Sequence, residues 1–323
     1  MGVLPARDHW IGRGIGPDHR PSLIAVAVGR YAPSPTGDLH VGNLRTALLA
    51  WLFAHHDGDA LLLRMDDLDP ATSSLEHECR QLDDLAALGV TFDGPILRQS
   101  ERTGAYGDAI GQLEDLDLTY PCFCSRREIR EAASAPHVHL PDGAYPGTCA
   151  ALSTAERAHK AESRPAALRV RAKGIEVSFT DRVYGPHEIV VDDFVVRRND
   201  GVAAYNLASV VDDATQGVEE VVRGADLLDG TPRQIWLRDT LGLPPVEHAH
   251  VPLMVNAAGH RLAKRDGAVT RTELLDLGWT DAILVERLLL SVGITASTLT
   301  DATATFEPAA LPTEPTVWSA EDR

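Results

Sequence analysis

The sequence predicts an α/β protein: a doubly wound parallel sheet with an inserted α+β domain and a short helical C-terminal part. Three observations carry this expectation. LIAVAVGRYA at 23–32 and ALLLRM at 60–65 are apolar runs without helical alternation, as strands buried on both faces of a parallel sheet are. An amphipathic helical pattern follows each of them, and such alternation of strand and helix builds a parallel sheet. Between about 107 and 200 the pattern breaks into clustered cysteines, prolines and histidines with short alternating runs, LRVRAKG and EVSFTDRV, that read as antiparallel strands.

After the first strand, Pro33, Pro35 and Gly37 shape a turn into a helix whose Leu44, Ala47, Leu48, Trp51 and Leu52 recur at helical spacing, with Arg45 and His55–His56 turned outward. The second strand ends in Asp66, Asp67, Asp69 and Pro70. Ser73 and Glu76 have capping-box spacing, and Leu75, Cys79, Leu82 and Leu85–Ala86 form the apolar stripe of the next helix. The α/β character resumes with VAAYNLASVVDDA and VEEVVRGADLL. A helix follows with Thr231 as cap, Pro232 in its first turn and Gly242 as its stop. HVPLMV is a buried strand leading into a polar hairpin, and 271–291 reads as one helix with Leu274, Leu275, Leu277, Leu284, Leu288 and Leu289 on its apolar side. The expected division is a flexible extension at 1–22, halves of the sheet domain at 23–106 and 204–256, the insert at 107–203, and a loop, helical segment and polar tail at 257–323.

Composition narrows the function. A net charge of −17 argues against indiscriminate nucleic-acid binding, yet residues 120–200 hold 12 of the 30 basic and only 11 of the 47 acidic residues. A polyanion would dock there. Four cysteines are too few for a disulfide scaffold, no apolar run approaches the ~18 residues of a membrane span, and 1–22 lacks the apolar core of a signal peptide. The expected location is the cytoplasm.

Three groups of residues carry chemistry. His40 and Gly42 stand at a helix N-terminus on the carboxyl edge of the sheet, a natural anion site. Arg261, Lys264 and Arg265 put three cations into five positions of a glycine-containing loop, which suits a departing polyphosphate. Cys122, Cys124 and Cys149 are a metal-ligand set in a loop-rich stretch, and generic zinc chemistry would complete it with His137 or His139.

The first two groups resemble the HIGH motif (His40-Val41-Gly42-Asn43) and the KMSKS motif (Arg261-Leu262-Ala263-Lys264-Arg265) of class I aminoacyl-tRNA synthetases. YAPSPTG, LLRMDDLDP, VVDDATQGVEEVVRGADLL and LAKRDG look like the glutamyl branch, over about 24–290. The resemblance implies a Rossmann-type catalytic domain in which Arg30, Ala32, Ser34, Asp66, Tyr205 and Arg223 hold L-glutamate. His40, Gly42, Asn43, Arg261, Lys264 and Arg265 would face magnesium-ATP, with His40 and Lys264 catalytic. Two cations suit an amino acid with two acids. Two positions depart from the pattern: Asp66 replaces a glutamate, with Asp67 able to substitute for it, and Ala263 replaces the signature serine.

The C-x-C…Y-x-x-x-C spacing of Cys122, Cys124, Tyr145 and Cys149 is similar to that of the truncated members of this branch, which load glutamate onto the queuosine base in the anticodon of tRNA(Asp). It implies one zinc per chain with Tyr145 as fourth ligand, against the histidines of the generic rule. Only 58 residues follow Arg265, and none between Arg287 and Arg323 is basic, so an anticodon-binding domain is not expected. The implied partners are ATP, L-glutamate and the queuosine-containing anticodon stem-loop of tRNA(Asp), with no membrane, and the chain is expected to be a monomer. A compact enzyme charging the 3′ end of tRNA(Glu), a non-RNA adenylyltransferase and a non-catalytic RNA-binding paralogue are the alternatives. Lys264→Ala should lower glutamate-dependent ATP–pyrophosphate exchange by roughly a hundredfold or more with an unchanged melting temperature, because a loop cation contributes to the transition state and little to folding.

Overall fold

The computed structural model describes residues 27–125, 127–129, 144–172, 174–262 and 269–319. The extension at 1–22, His137, His139, Ala263, Lys264 and Arg265 lie outside the described residues. In chain order the first elements are β1 (Val28–Tyr31), α1 (Val41–Asp57), β2 (Ala60–Met65), α2 (Leu75–Ala87), β3 (Leu97–Arg98), α3 (Thr103–Asp115) and β4 (Thr119–Cys122). There follow α4 (Thr154–Ala161), β5 (Ala167–Val170), β6 (Ile175–Asp181), β7 (Gly185–Val191), β8 (Val195–Arg197), α5 (Tyr205–Gln216), β9 (Glu220–Gly224) and α6 (Thr231–Leu241). The chain closes with β10 (Glu247–Val251), β11 (Met254–Val255), α7 (Arg271–Asp276), α8 (Asp281–Leu290), α9 (Leu299–Thr303) and β12 (Thr316–Val317).

The main sheet has seven strands in the order β3-β2-β1-β9-β10-β6-β7, parallel throughout except for the β6–β7 hairpin. The stretch 107–203, read from the sequence as one insert, therefore divides. Its hairpin joins the main sheet beside β10 through the Asp181–His248 register, and α3 packs with α5 and α6 in a second core around Leu113, Val196, Leu207 and Trp236. Only β4, β5 and β8 form a sheet of their own, antiparallel, with the cysteines at its end. The alternation of EVSFTDRV is that of an edge hairpin with one face wet.

Helix α1 is buried on nearly every side, by the sheet on one face and by α8 and α9 on the other. Arg45 is consequently not outward. Its guanidinium lies in the core, donating to the carbonyl of Pro252 and, at 3.1 Å, to Ser291 Oγ. Helix α2 departs further: Leu75 and Cys79 are exposed, and the buried face is Glu78, Gln81, Asp84 and Leu85, with Ser74 and not Ser73 as N-cap. These polar residues have partners, Glu78 with Arg98 and Asp84 with Arg271, so their burial is compensated. The helix expected at 271–291 is two, α7 and α8, broken at Gly278 with φ 83° and restarted by the Thr280 cap. Helix α6 is capped by Gly230, which leaves the Thr231 side chain for another partner.

Candidate active site

A cleft of about 530 Å³ opens at the carboxyl ends of β1, β2, β9 and β10. Its walls bring together Arg30, Ala32, Ser34, His40, Gly42, Asn43, Asp66, Tyr205, Arg223 and Arg261 from five separate parts of the chain. Asp67 is not among them: its carboxylate accepts from the Ser100 N–H and hydroxyl at 2.8 and 2.6 Å.

The turn after β1 is held by side-chain amide bonds, since Gln81 on α2 donates to the carbonyls of Ser34 and Gly37 at 3.0 and 2.7 Å. His40 is the N-cap of α1, and its ring lies over the first turn of the helix. A Cβ at position 42 would meet that ring at 3.2 Å, which is why the residue two after the histidine is glycine. Burial and the nearby Arg261 lower the His40 pKa, so the imidazole is neutral at pH 7. The Val41 N–H donates to the Val269 carbonyl at 2.7 Å, and His40 bridges Thr270 in antiparallel fashion, so the segment leaving residues 263–268 is tied to the histidine. On the entering side Val255 bridges Arg261, whose guanidinium pairs with Asp226 at 2.8 Å.

Beneath the cleft lies a charge network that no motif announced as such. Asp213 on α5 accepts from Arg64 at 2.5 Å and from Arg30 and Arg238 at 3.4 Å each, all four nearly inaccessible to water. Arg64 also donates to Asp66 at 2.7 Å. Arg30 donates in addition to the Val222 carbonyl at 3.2 Å. Burial raises the pKa of Asp66 against the opposing pull of Arg64 and Arg30, so its charge is incompletely compensated. The paired aspartates of VVDD were the available signal for Asp213, and nothing in the local pattern separated them from a solvated pair.

Arg223 is held differently. Its Nε donates to His250 Nε2 at 3.0 Å, and its terminal nitrogens donate to Gln234 Oε1 at 2.7 Å and Thr231 Oγ1 at 2.8 Å. Weaker bonds reach Tyr205 Oη and the Leu227 carbonyl, both at 3.4 Å.

A second cleft, of about 980 Å³, shares Ser34, Thr36, Asp66 and Tyr205 with the first and runs to the cysteines past Phe123, Arg164, Arg169 and Arg198. The thiols of Cys122, Cys124 and Cys149 lie within 4.8 Å of one another. Tyr145 Oη is 3.5 Å from Cys122 Sγ and 3.6 Å from Cys124 Sγ. Arg169 sits 3.8 Å over the tyrosine ring. Burial pushes the Cys124 thiol up to about 12. Three soft sulfurs and one oxygen converging on a point fit a tetrahedral divalent metal.

The parallel sheet, the histidine-headed helix at its carboxyl edge and the bridged second loop define the catalytic domain of a class I aminoacyl-tRNA synthetase. The family model for class I tRNA synthetases (E and Q), catalytic domain, matches residues 26–310. A glutamyl-Q tRNA(Asp) synthetase of Nocardia farcinica is 53% identical over 288 residues, covering 89% of this chain and 91% of that one. Its counterpart in Geobacter sulfurreducens is 42% identical over 300 residues, 88% and 94% of the two chains. Among solved structures, a glutamate tRNA ligase from Elizabethkingia meningosepticum, in complex with its amino acid, superposes with a TM-score of 0.75 at 25% identity, over 92% of this chain and 67% of that one. The chain belongs to the glutamyl-Q tRNA(Asp) synthetase family.

Burial opposes ionisation of Asp213, but Arg64, Arg30 and Arg238 outweigh it and hold the group down to about 2 from 3.8. A depressed folded value stabilises the fold above the unfolded pKa and loses that contribution as pH falls through the folded one, so about 2 kcal/mol present at pH 7 should vanish between pH 4 and about 2. Asp213→Asn should cost about 3 kcal/mol at pH 7. Urea unfolding at pH 7 and pH 3 checks both, the gap between wild type and variant being expected to narrow at the lower pH.

Proposed function

We infer that this chain is a ligase that activates L-glutamate with magnesium-ATP as glutamyl-adenylate, releasing pyrophosphate, and passes the glutamyl group to a hydroxyl of the queuosine base in the anticodon of tRNA(Asp), releasing AMP. The observation that carries the first half is the meeting, in one cleft, of the helix N-terminus at His40 with the Asp66 carboxylate and the buried Arg30 and Arg223. Asp66 accepts from the α-ammonium, Arg223 with Tyr205 meets the side-chain carboxylate, and Arg30 with the turn at Ala32 and Ser34 steers the α-carboxylate towards phosphate. Neutral His40, the Gly42 backbone N–H and the Asn43 side-chain amide donate to the phosphates, and Lys264, with Arg261 and Arg265, stabilises the departing pyrophosphate. Catalysis is positioning plus charge stabilisation, without a covalent enzyme intermediate.

The acceptor half is supported by the names of the relatives and by the second cleft, whose accessible Arg164 and Arg198 offer positive charge to RNA phosphate. Its shared wall at Tyr205 delivers the accepting hydroxyl of the queuosine ring to the adenylate. Cys122, Cys124, Cys149 and Tyr145 would hold zinc, which supplies structural cross-linking to this end of the cleft and takes no part in the reaction. Among the described residues no helix is long and apolar enough to cross a membrane. The enzyme works in the cytoplasm, as a monomer whose joined clefts take all three substrates.

A queuosine-containing anticodon stem-loop of tRNA(Asp) should accept glutamate nearly as well as whole tRNA, and the same stem-loop with guanosine should accept none. Loss of acceptance after removal of the 3′-terminal ribose of whole tRNA would instead mean an enzyme that charges tRNA(Glu). Metal analysis after chelator-free purification should find about one zinc per chain. Tyr145→Phe should weaken its retention against a chelator by roughly tenfold or more. Retention in Tyr145→Phe together with loss in His137→Ala or His139→Ala would hand the fourth position to a histidine.

A further inference from the structure

Arg223 is 4% exposed, and among the described residues its hydrogen bonds all go to uncharged acceptors. Arg30, Arg64 and Arg238, by contrast, each touch a carboxylate directly. A buried guanidinium without a carboxylate on it is costly. Asp213 acts on Arg223 from a distance, and along its hydrogen bonds the first carboxylate stands one ring away. His250 Nδ1 lies 2.6 Å from Asp181 Oδ2, with both side chains wholly buried. Among the described residues Asp181 otherwise receives backbone N–H groups, from Val183, Tyr184 and His250. A carboxylate only accepts, so the His250 proton must sit on Nδ1, and Nε2 must present its lone pair to Arg223. Burial lowers the His250 pKa and keeps the ring neutral in this role.

We propose that Asp181 and His250 are positioning residues for glutamate recognition. The carboxylate fixes the imidazole tautomer, and Nε2 aims the Arg223 guanidinium into the cleft while leaving its charge for the substrate's side-chain carboxylate to meet. This rests on the reading that the cleft activates glutamate. It also gives the β6–β7 hairpin a purpose, because Asp181 ends β6 and reaches the site only when the hairpin is seated beside β10.

Asp181→Asn keeps a side-chain oxygen for Val183 and Tyr184 but offers an amide N–H to His250, which selects the other tautomer and sets Nε2–H against the Arg223 N–H. In glutamate-dependent ATP–pyrophosphate exchange the KM for glutamate should rise roughly tenfold to a hundredfold, with the KM for ATP unchanged. In a His250→Gln background, where the amide can turn its oxygen towards Arg223 whatever stands at 181, Asp181→Asn should cost only about twofold. A purely structural role for Asp181 gives the same loss in both backgrounds and overturns the proposal. Gln234→Glu provides a second test that does not disturb Asp181. It places a carboxylate directly on Arg223, so the KM for glutamate should rise at least about tenfold and the preference for glutamate over glutamine should shrink. An unchanged glutamate KM in Gln234→Glu overturns the proposal even if Asp181→Asn fails to fold. Absence of glutamate-dependent exchange in the wild-type protein would sink the functional reading itself.

Discussion

The Asp213 carboxylate is the point on which the site depends. Three guanidiniums converge on it from β1, β2 and α6, and they are buried where unpaired charge is least tolerable. Through Arg64 it also fixes Asp66, so one anion sets the directions of a cation and an anion on the cleft wall. The neighbouring Asp212 faces the other way, accepting from Gln99, Arg102 and Tyr106 and docking α3 onto α5. Consecutive aspartates on one helix thus tie the catalytic sheet to the layer that carries the smaller sheet.

Selectivity then comes from unequal compensation. Arg30 has Asp213 behind it, whereas among the described residues Arg223 has neutral acceptors against it and an anion beyond a histidine ring. Asp66 is the mirror case, a carboxylate whose burial outweighs the cations beside it. A cleft with one underpaired cation and one underpaired anion favours a ligand carrying the complementary groups at fixed separation. On the proposed assignment glutamate is that ligand, while glutamine would leave Arg223 buried without a counter-charge.

Much of this was legible in the chain. The buried strands were plain as apolar runs, and the His-x-Gly spacing has a steric reason at Gly42 that any sequence with this motif would share. What was hidden was mostly buried charge. Arg45, Glu78, Gln81 and Asp84 look like solvent-facing residues to any hydrophobic periodicity, and each is buried against a hydrogen-bond partner distant in sequence. The place of the β6–β7 hairpin is hidden for a related reason: its alternation is that of any half-wet strand, and its seat beside β10 is set by contacts distant in sequence, Asp181 with His250 and Arg182 with the His248 carbonyl.

The start of α1 and the segment that follows residues 263–268 are joined by backbone. A helix N-terminus has several unpaired N–H groups, and α1 commits the first of them, at Val41, to the Val269 carbonyl. The bridge from His40 to Thr270 runs beside it, and the Glu273 carboxylate accepts from the N–H groups of Val269 and Thr270, closing the next helix's cap on the same two residues. Any displacement of that segment therefore pulls on the histidine. The N–H groups of Asn43 and Leu44 turn back to the His40 carbonyl at 2.8 and 3.0 Å, and on the other wall of the cleft Arg261 pairs with Asp226. A shift at His40 and a shift at Val269 and Thr270 are thus transmitted one to the other through that backbone bridge.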